Sequence, residues 1–156
     1  MSTFQRMIGM VLRPLAERQA RGRSGEAFAV DLERSGSNVQ RRFERAEDTP
    51  SNREAVNHIV GIERWGQRRL RVALGEPPVM DSYRGYRLPE GTDVKTLARA
   101  FADTRKETIN LALELARKDP GLETKVAHND LGALSVGGWL AYLGAHAKRE
   151  SLRVRG

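Results

Sequence analysis

"DTPSNREAVNHIVGIERWGQRRLRVALG" (Asp48–Gly75) is the stretch that decides the fold. It opens with Ser51 followed three residues later by Glu54, the spacing of a capping box. There a hydroxyl and a carboxylate each satisfy a backbone N–H that the first helical turn leaves unpaired. Ala55, Ile59, Ile62, Gly66, Leu70 and Ala73 then recur at helical spacing, and Gly75 with Pro77-Pro78 ends the run. A helix with one apolar stripe has to bury it, and the rest of the chain offers other helices to bury it against.

Upstream, Phe4, Met7, Ile8, Val11, Leu12 and Leu15 follow the same period, with Pro14 predicted to kink or end the segment. "RGRSG" (Arg21–Gly25) breaks the chain. A second helical pattern runs through Phe28, Leu32, Val39, Phe43 and Ala46. Gly36, within "SGS" (Ser35–Ser37), costs about 1 kcal/mol relative to Ala in a helix, so a break or bend is expected there. Downstream of "EPPVMDSYRGYRLPEG" (Glu76–Gly91), a loop long enough to suggest a lid or a packed connection, another helix is expected. It is capped by Thr92 or Asp93, carries Val94, Leu97, Phe101, Thr104 or Thr108, Leu111 and Leu115, and ends before Asp119-Pro120-Gly121. "HNDLGALS" (His128–Ser135) turns the chain, Ser135 caps the last helix, and Leu134 is placed to staple onto Trp139. No stretch alternates as a strand does. The expected fold class is all-α, a helical bundle, with residues 1–25 as an N-terminal helical extension and 26–156 as the bundle domain.

Composition narrows the chemistry. The 156 residues contain no cysteine, which removes disulfides, thiolate metal sites and a cysteine nucleophile; a metal would have to be held by His, Asp or Glu. A net charge of +7 allows an acidic partner, but the charges are mixed in sign along helix faces, and no basic run is interleaved with aromatics. With no helix-turn-helix pattern either, nucleic acid is the last-ranked partner. The first 25 residues hold five Arg and a single acid, Glu17, a faint likeness to a transit peptide. No run approaches the ~20 apolar residues of a membrane span, so a cytoplasmic location with no membrane contact is expected.

The site-bearing helix is "GGWLAYLGAHAKRES" (Gly137–Ser151), where Trp139, Leu143, His146 and Glu150 fall at i, i+4, i+7 and i+11. An apolar stripe that runs into a titratable pair needs a reason, because a buried carboxylate is costly unless it is paired or coordinating. An i, i+4 pair brings two side chains within reach of one ion. His58, on the same side of its helix as Ala55, Ile62 and Trp65, would add a third ligand. Two histidines and one carboxylate then leave positions open for water or substrate. The spacing equally allows a hydrogen-bonded core histidine and a solvated glutamate. His128, in a loop, is a turn residue or a contact to substrate. No P-loop, GxGxxG, GxSxG or zinc-ribbon pattern is present.

"SNREAVNHIVGIERW" (Ser51–Trp65) resembles the second-helix motif of the DinB-like family of four-helix bundle proteins, a histidine in mid-helix followed by an acidic-Arg-aromatic run. "HNDLGALSVGGWLAYLGAHAKRE" (His128–Glu150) resembles that family's C-terminal motif, His-Pro-x-x-Gly-x-hydrophobic-Ser/Thr leading to a helix ending His-x3-His. The likeness covers about Ala27 to Arg153. It implies an up-down-down-up bundle, frequent homodimers, and a divalent metal (zinc, nickel or iron-like) on a histidine triad. By position the triad is His58, His146 and Glu150, the last where the family usually has histidine, which favours a harder ion.

The function expected on that footing is a metal-dependent transferase or hydrolase acting on a small-molecule substrate. A low-molecular-weight thiol of the bacillithiol or mycothiol type is the possible cosubstrate, and His128, Tyr83 and Tyr86 are the substrate contacts. The alternative is a non-catalytic stress-response or interaction bundle with a degenerate metal site.

Overall fold

The structure, a computed structural model, describes residues 3–118 and 121–156. Among them are five α-helices: α1 (Thr3–Ala20), α2 (Gly25–Glu44), α3 (Pro50–Val72), α4 (Val94–Ala116) and α5 (Val136–Ser151). A 3-10 turn (Tyr83–Tyr86) interrupts the α3–α4 connection. A short hairpin, β1 (Lys125–His128) with β2 (Gly132–Ser135), precedes α5. The fold is an all-α bundle, as the periodicity implies.

Helix direction follows from which residues meet. Asp48, just ahead of α3, accepts the N–H of Val94 at the start of α4 (3.0 Å), so α3 and α4 begin at the same end and run parallel. His58 meets His146 while Gly66 meets Leu143, so α5 runs antiparallel to α3. Gly25 lies against Ala116 and Gly36 against Arg105, so α2 runs antiparallel to α4. α2, α3, α4 and α5 are therefore up, down, down and up, and α1 packs on the outside of α5 and the hairpin.

Four sequence expectations are corrected. α1 passes through Pro14 without ending, because Met10 and Pro14 both face water, where the Met10 carbonyl that Pro14 cannot serve is solvated. α2 is unbroken at Gly36. A Cβ there would lie 2.8 Å from the Arg105 Cγ, so the glycine lets α4 approach rather than stopping the helix. α3 is capped by Thr49, whose hydroxyl accepts the Asn52 N–H (3.2 Å), and not by Ser51. Pro50, with its preset φ and no N–H to satisfy, takes the first helical position and moves the cap upstream. Glu54 leaves the capping box for Arg87 (3.0 Å). The fourth is the hairpin: its strands, paired Val126↔Leu134 and Ala127↔Ala133, are four residues each and too short to show alternation.

The other caps fall where expected, with Asp93 on α4 and Ser135 on α5. Leu134 and Trp139 are both fully buried in one cluster. The proposed α4 stop at Asp119-Pro120 lies outside the described residues. Only part of the α1 stripe is covered. Ile8, Leu12 and Ala16 pack on the core, while Phe4, Met7, Met10, Val11 and Leu15 are 47–75% exposed.

The core is divided. One cluster gathers Phe28, Trp65, Leu111, Leu134, Trp139 and Leu143, and another gathers Phe43, Val56, Ile59, Leu97 and Phe101. A buried polar network joins α2, α3 and α4. Glu63 and Arg105, 1% and 3% exposed, form a bidentate pair (2.6 and 2.9 Å). Thr108 donates to Glu63 (2.8 Å), Gln67 donates to Thr108 and to the Thr104 carbonyl, and Arg105 also donates to the Leu32 carbonyl and Ser35 hydroxyl.

Candidate metal centre

α3 and α5 carry His58 and His146 to one point because Gly66 lets the Leu143 side chain sit directly on α3; a Cβ on Gly66 would lie 2.6 Å from it. Their Nε2 atoms are 3.2 Å apart and their ring centroids 5.1 Å. Burial holds both imidazoles below their ordinary range, His146 at about 3, with the His58 ring beside it adding to the shift. Both are therefore neutral at pH 7, the form in which a histidine ligates a metal.

The third expected ligand stands differently. Burial raises the Glu150 carboxyl, but hydrogen bonds from Arg153 (3.0 Å) and Arg149 (3.3 Å) outweigh it and hold the group below its ordinary value. Its charge acts on both imidazoles. No group of three His, Cys, Asp or Glu converges as a metal-holding set among the described residues. The two imidazoles suit one ion: nitrogens 3.2 Å apart are within the span two ligands reach at Zn–N distances of ~2.0–2.1 Å. The Glu150 carboxylate, held by Arg153 and Arg149, does not complete such a set.

Of the expected substrate contacts, Tyr83 is at the pair, edge-on to His58 with centroids 5.1 Å apart. Tyr86 points elsewhere, its hydroxyl donating to the Asp81 carboxylate. His128 is 6% exposed, boxed by Trp65, Trp139 and Tyr142 with ring centroids 4.9–5.0 Å away. Its Nδ1 accepts the backbone N–H groups of Asp130 (3.0 Å) and Leu131 (3.2 Å), which fixes the proton on Nε2 and ties off the hairpin turn. Burial, with Arg69 nearby, pushes it down to about 4. Tyr142 touches both His128 and His146, so the turn histidine and the pair share one aromatic wall.

Residues that the spacing did not single out hold the wall in place. Arg69, 0% exposed, stacks on Trp65 and donates to the Ala127 carbonyl (2.7 Å) and Asn129 Oδ1 (2.6 Å). It joins Trp65 and Asn129 in donating to the Asp81 carbonyl, and Asn57 makes two hydrogen bonds with the Leu88 backbone. The long α3–α4 connection is thus fastened along α3, keeping Tyr83 on His58. The available signal was a basic residue, Arg69, directly beside Leu70 on the buried stripe.

No helix among the described residues is long and apolar enough to cross a membrane. A family model described as the DinB superfamily matches residues 5–149, which takes in most of α1 as well as the bundle. No curated protein and no solved structure matches.

Proposed function

This chain belongs to the DinB superfamily, and we propose on that premise that it binds a divalent transition metal on His58 and His146, with Glu150 as the carboxylate donor, and uses it in a transfer or hydrolysis reaction on a small molecule. The observation that carries this is the pair itself: two neutral imidazoles from different helices, Nε2 to Nε2 at 3.2 Å. The superfamily is generally metal-binding, and the donor types present are those that zinc, nickel or ferrous ions accept. Such an ion lowers the pKa of a bound thiol or water enough to give a nucleophile near neutral pH, which suits a low-molecular-weight thiol cosubstrate.

The chain's own residues supply the rest. α3 and α5 hold the ligands on rigid elements, and the tethered loop brings Tyr83 over His58, where its ring shields the pair and its hydroxyl is a candidate contact to substrate. His128 supports this by fixing the hairpin and the aromatic wall, a positioning role. Metal analysis of protein purified without a His tag tests the proposal. About one ion per chain is expected, falling to near zero in His58→Ala, with thiol transfer to an electrophile lost in parallel. Metal below a tenth of an ion in the unaltered chain would instead favour a non-catalytic bundle, for which the hold of Arg149 and Arg153 on Glu150 is the specific support.

The homodimer that the family resemblance implies has a candidate face in the outward stripe of α1. Five large apolar side chains on this one helix, Phe4, Met7, Met10, Val11 and Leu15, are exposed, and clustered exposed apolar surface marks interaction sites. In sedimentation, Met7→Glu/Val11→Glu is expected to convert a dimer to a monomer with unchanged helix content. A variant that stays dimeric places the contact elsewhere.

A further inference from the structure

A groove runs between α2 and α5, away from the imidazole pair, and its two halves differ in chemistry. One, of about 280 Å³, is lined by Phe28, Leu32, Leu140 and Gly144. The other, of about 360 Å³, carries Arg34 and Arg42 from α2 and Lys148 from α5. Asp31, Ser35 and Lys148 line both, so the apolar half opens onto the cationic one.

Two features of this groove need a reason. Arg34, Arg42 and Lys148 make no side-chain hydrogen bond or ion pair among the described residues, although like charges gathered in one place repel. Asp31, the only acid lining either half, is already taken: its carboxylate accepts from Arg23. The other feature is Gly144. A Cβ on Gly36 or Gly66 would lie 2.8 or 2.6 Å from a facing side chain, so helix packing requires those glycines. A Cβ on Gly144 would lie 3.5 Å from Leu32 Cδ2, an ordinary contact. Glycine forms helix less readily than alanine, and here no neighbour demands it; its effect is to keep the apolar half open.

We propose that the groove binds a small, soluble phosphate monoester, its dianionic head on Lys148, Arg34 and Arg42 and its apolar arm over Phe28, Leu32 and Leu140. A dianion answers several cations at once, the arginines offering planar forks of donors and the lysine a point charge. Arg34 and Arg42 stand about 12 Å apart along α2 at 1.5 Å per residue, a span that two arginine side chains close from either end. The arm is short, of ring size, because the Arg23 guanidinium lies over the Phe28 ring, 4.5 Å from its centroid, and bounds the apolar half. Joined, the two halves fall within the ~300–1,000 Å³ of small-molecule sites.

Titration calorimetry of the tag-free chain with 2-naphthyl phosphate tests this, against 2-naphthol and inorganic phosphate as its two parts. The ester is expected to bind roughly 10-fold more tightly than either part, and Lys148→Gln to weaken it about 10-fold. Gly144→Leu, which fills the apolar half, should weaken the ester about as much and leave inorganic phosphate unaffected. Thermal melting is the folding control; Lys148 is exposed, so its variant carries the test if Gly144→Leu does not fold. An ester that binds no more tightly than inorganic phosphate, or that Lys148→Gln or a folded Gly144→Leu leaves unaltered, overturns the proposal. Binding lost in His58→Ala but kept in Lys148→Gln overturns it too, by placing the phosphate at the imidazole pair. Flotation with phosphatidylcholine vesicles containing phosphatidic acid is expected to carry no protein. Lys148-dependent flotation without binding of 2-naphthyl phosphate would overturn the soluble ester in favour of a lipid headgroup.

Discussion

Arg105→Ala is expected to cost about 3–5 kcal/mol of folding stability in urea denaturation. Arg105 reaches across the bundle to Glu63, with both side chains almost wholly out of water. Truncation leaves an ionised carboxylate whose only remaining side-chain donor among the described residues is the Thr108 hydroxyl, which Gln67 in turn supports. It also frees the Leu32 carbonyl and Ser35 hydroxyl that Arg105 serves. Removing both charges together, as Glu63→Met/Arg105→Met, is expected to cost much less, because desolvation of a buried pair offsets most of its attraction. A single-variant loss below about 1 kcal/mol would show that water reaches the pair.

Acid is expected to unfold the chain earlier than its carboxylates alone would. Folding holds His128 at about 4 and His146 at about 3, against an ordinary histidine value of 6.5. The folded state thus binds fewer protons than the unfolded chain in this range. Stability is complete above about pH 6.5 and falls as pH drops towards 4, by roughly 3 kcal/mol for His128 alone. Asp48, whose carboxyl is held at about 2 chiefly by Arg53, adds its own loss only below pH 4. Urea midpoints at pH 7.5, 6, 5 and 4.5 read this directly, and His128→Gln should flatten the slope between pH 6 and 4.5. A midpoint that does not move from pH 7.5 to 4.5 contradicts the neutral, buried state of these imidazoles.

The helices were legible because each carries its own 3.6-residue stripe, and the last helix even its cap, Ser135. What was not legible depended on partners far along the chain. Gly36 looks like a helix breaker until Arg105 is beside it, 69 residues away. Thr104 and Thr108 on the α4 stripe were a trace of the polar layer, but nothing local pairs Glu63 with Arg105. Four-residue strands carry too little pattern to reveal the hairpin, and four of the six α1 stripe residues, Phe4, Met7, Val11 and Leu15, face water. At the site, helical spacing places His146 and Glu150 on one side of α5 and His58 on the packed side of α3. The hold of Arg149 and Arg153 on Glu150 depends on side-chain directions at a helix end, which spacing does not specify. His128 likewise looks like a free loop histidine until its Nδ1 is seen accepting two backbone N–H groups.

On the proposed function, His58 and His146 share one ion. Anomalous diffraction from crystals of the tag-free chain grown with Zn²⁺ tests it most directly. One peak is expected, with the Nε2 atoms of both histidines at ~2.0–2.1 Å and a Glu150 oxygen at ~2.0–2.2 Å. A structure with no peak between α3 and α5, and the two imidazoles still hydrogen-bonded to each other, would contradict it.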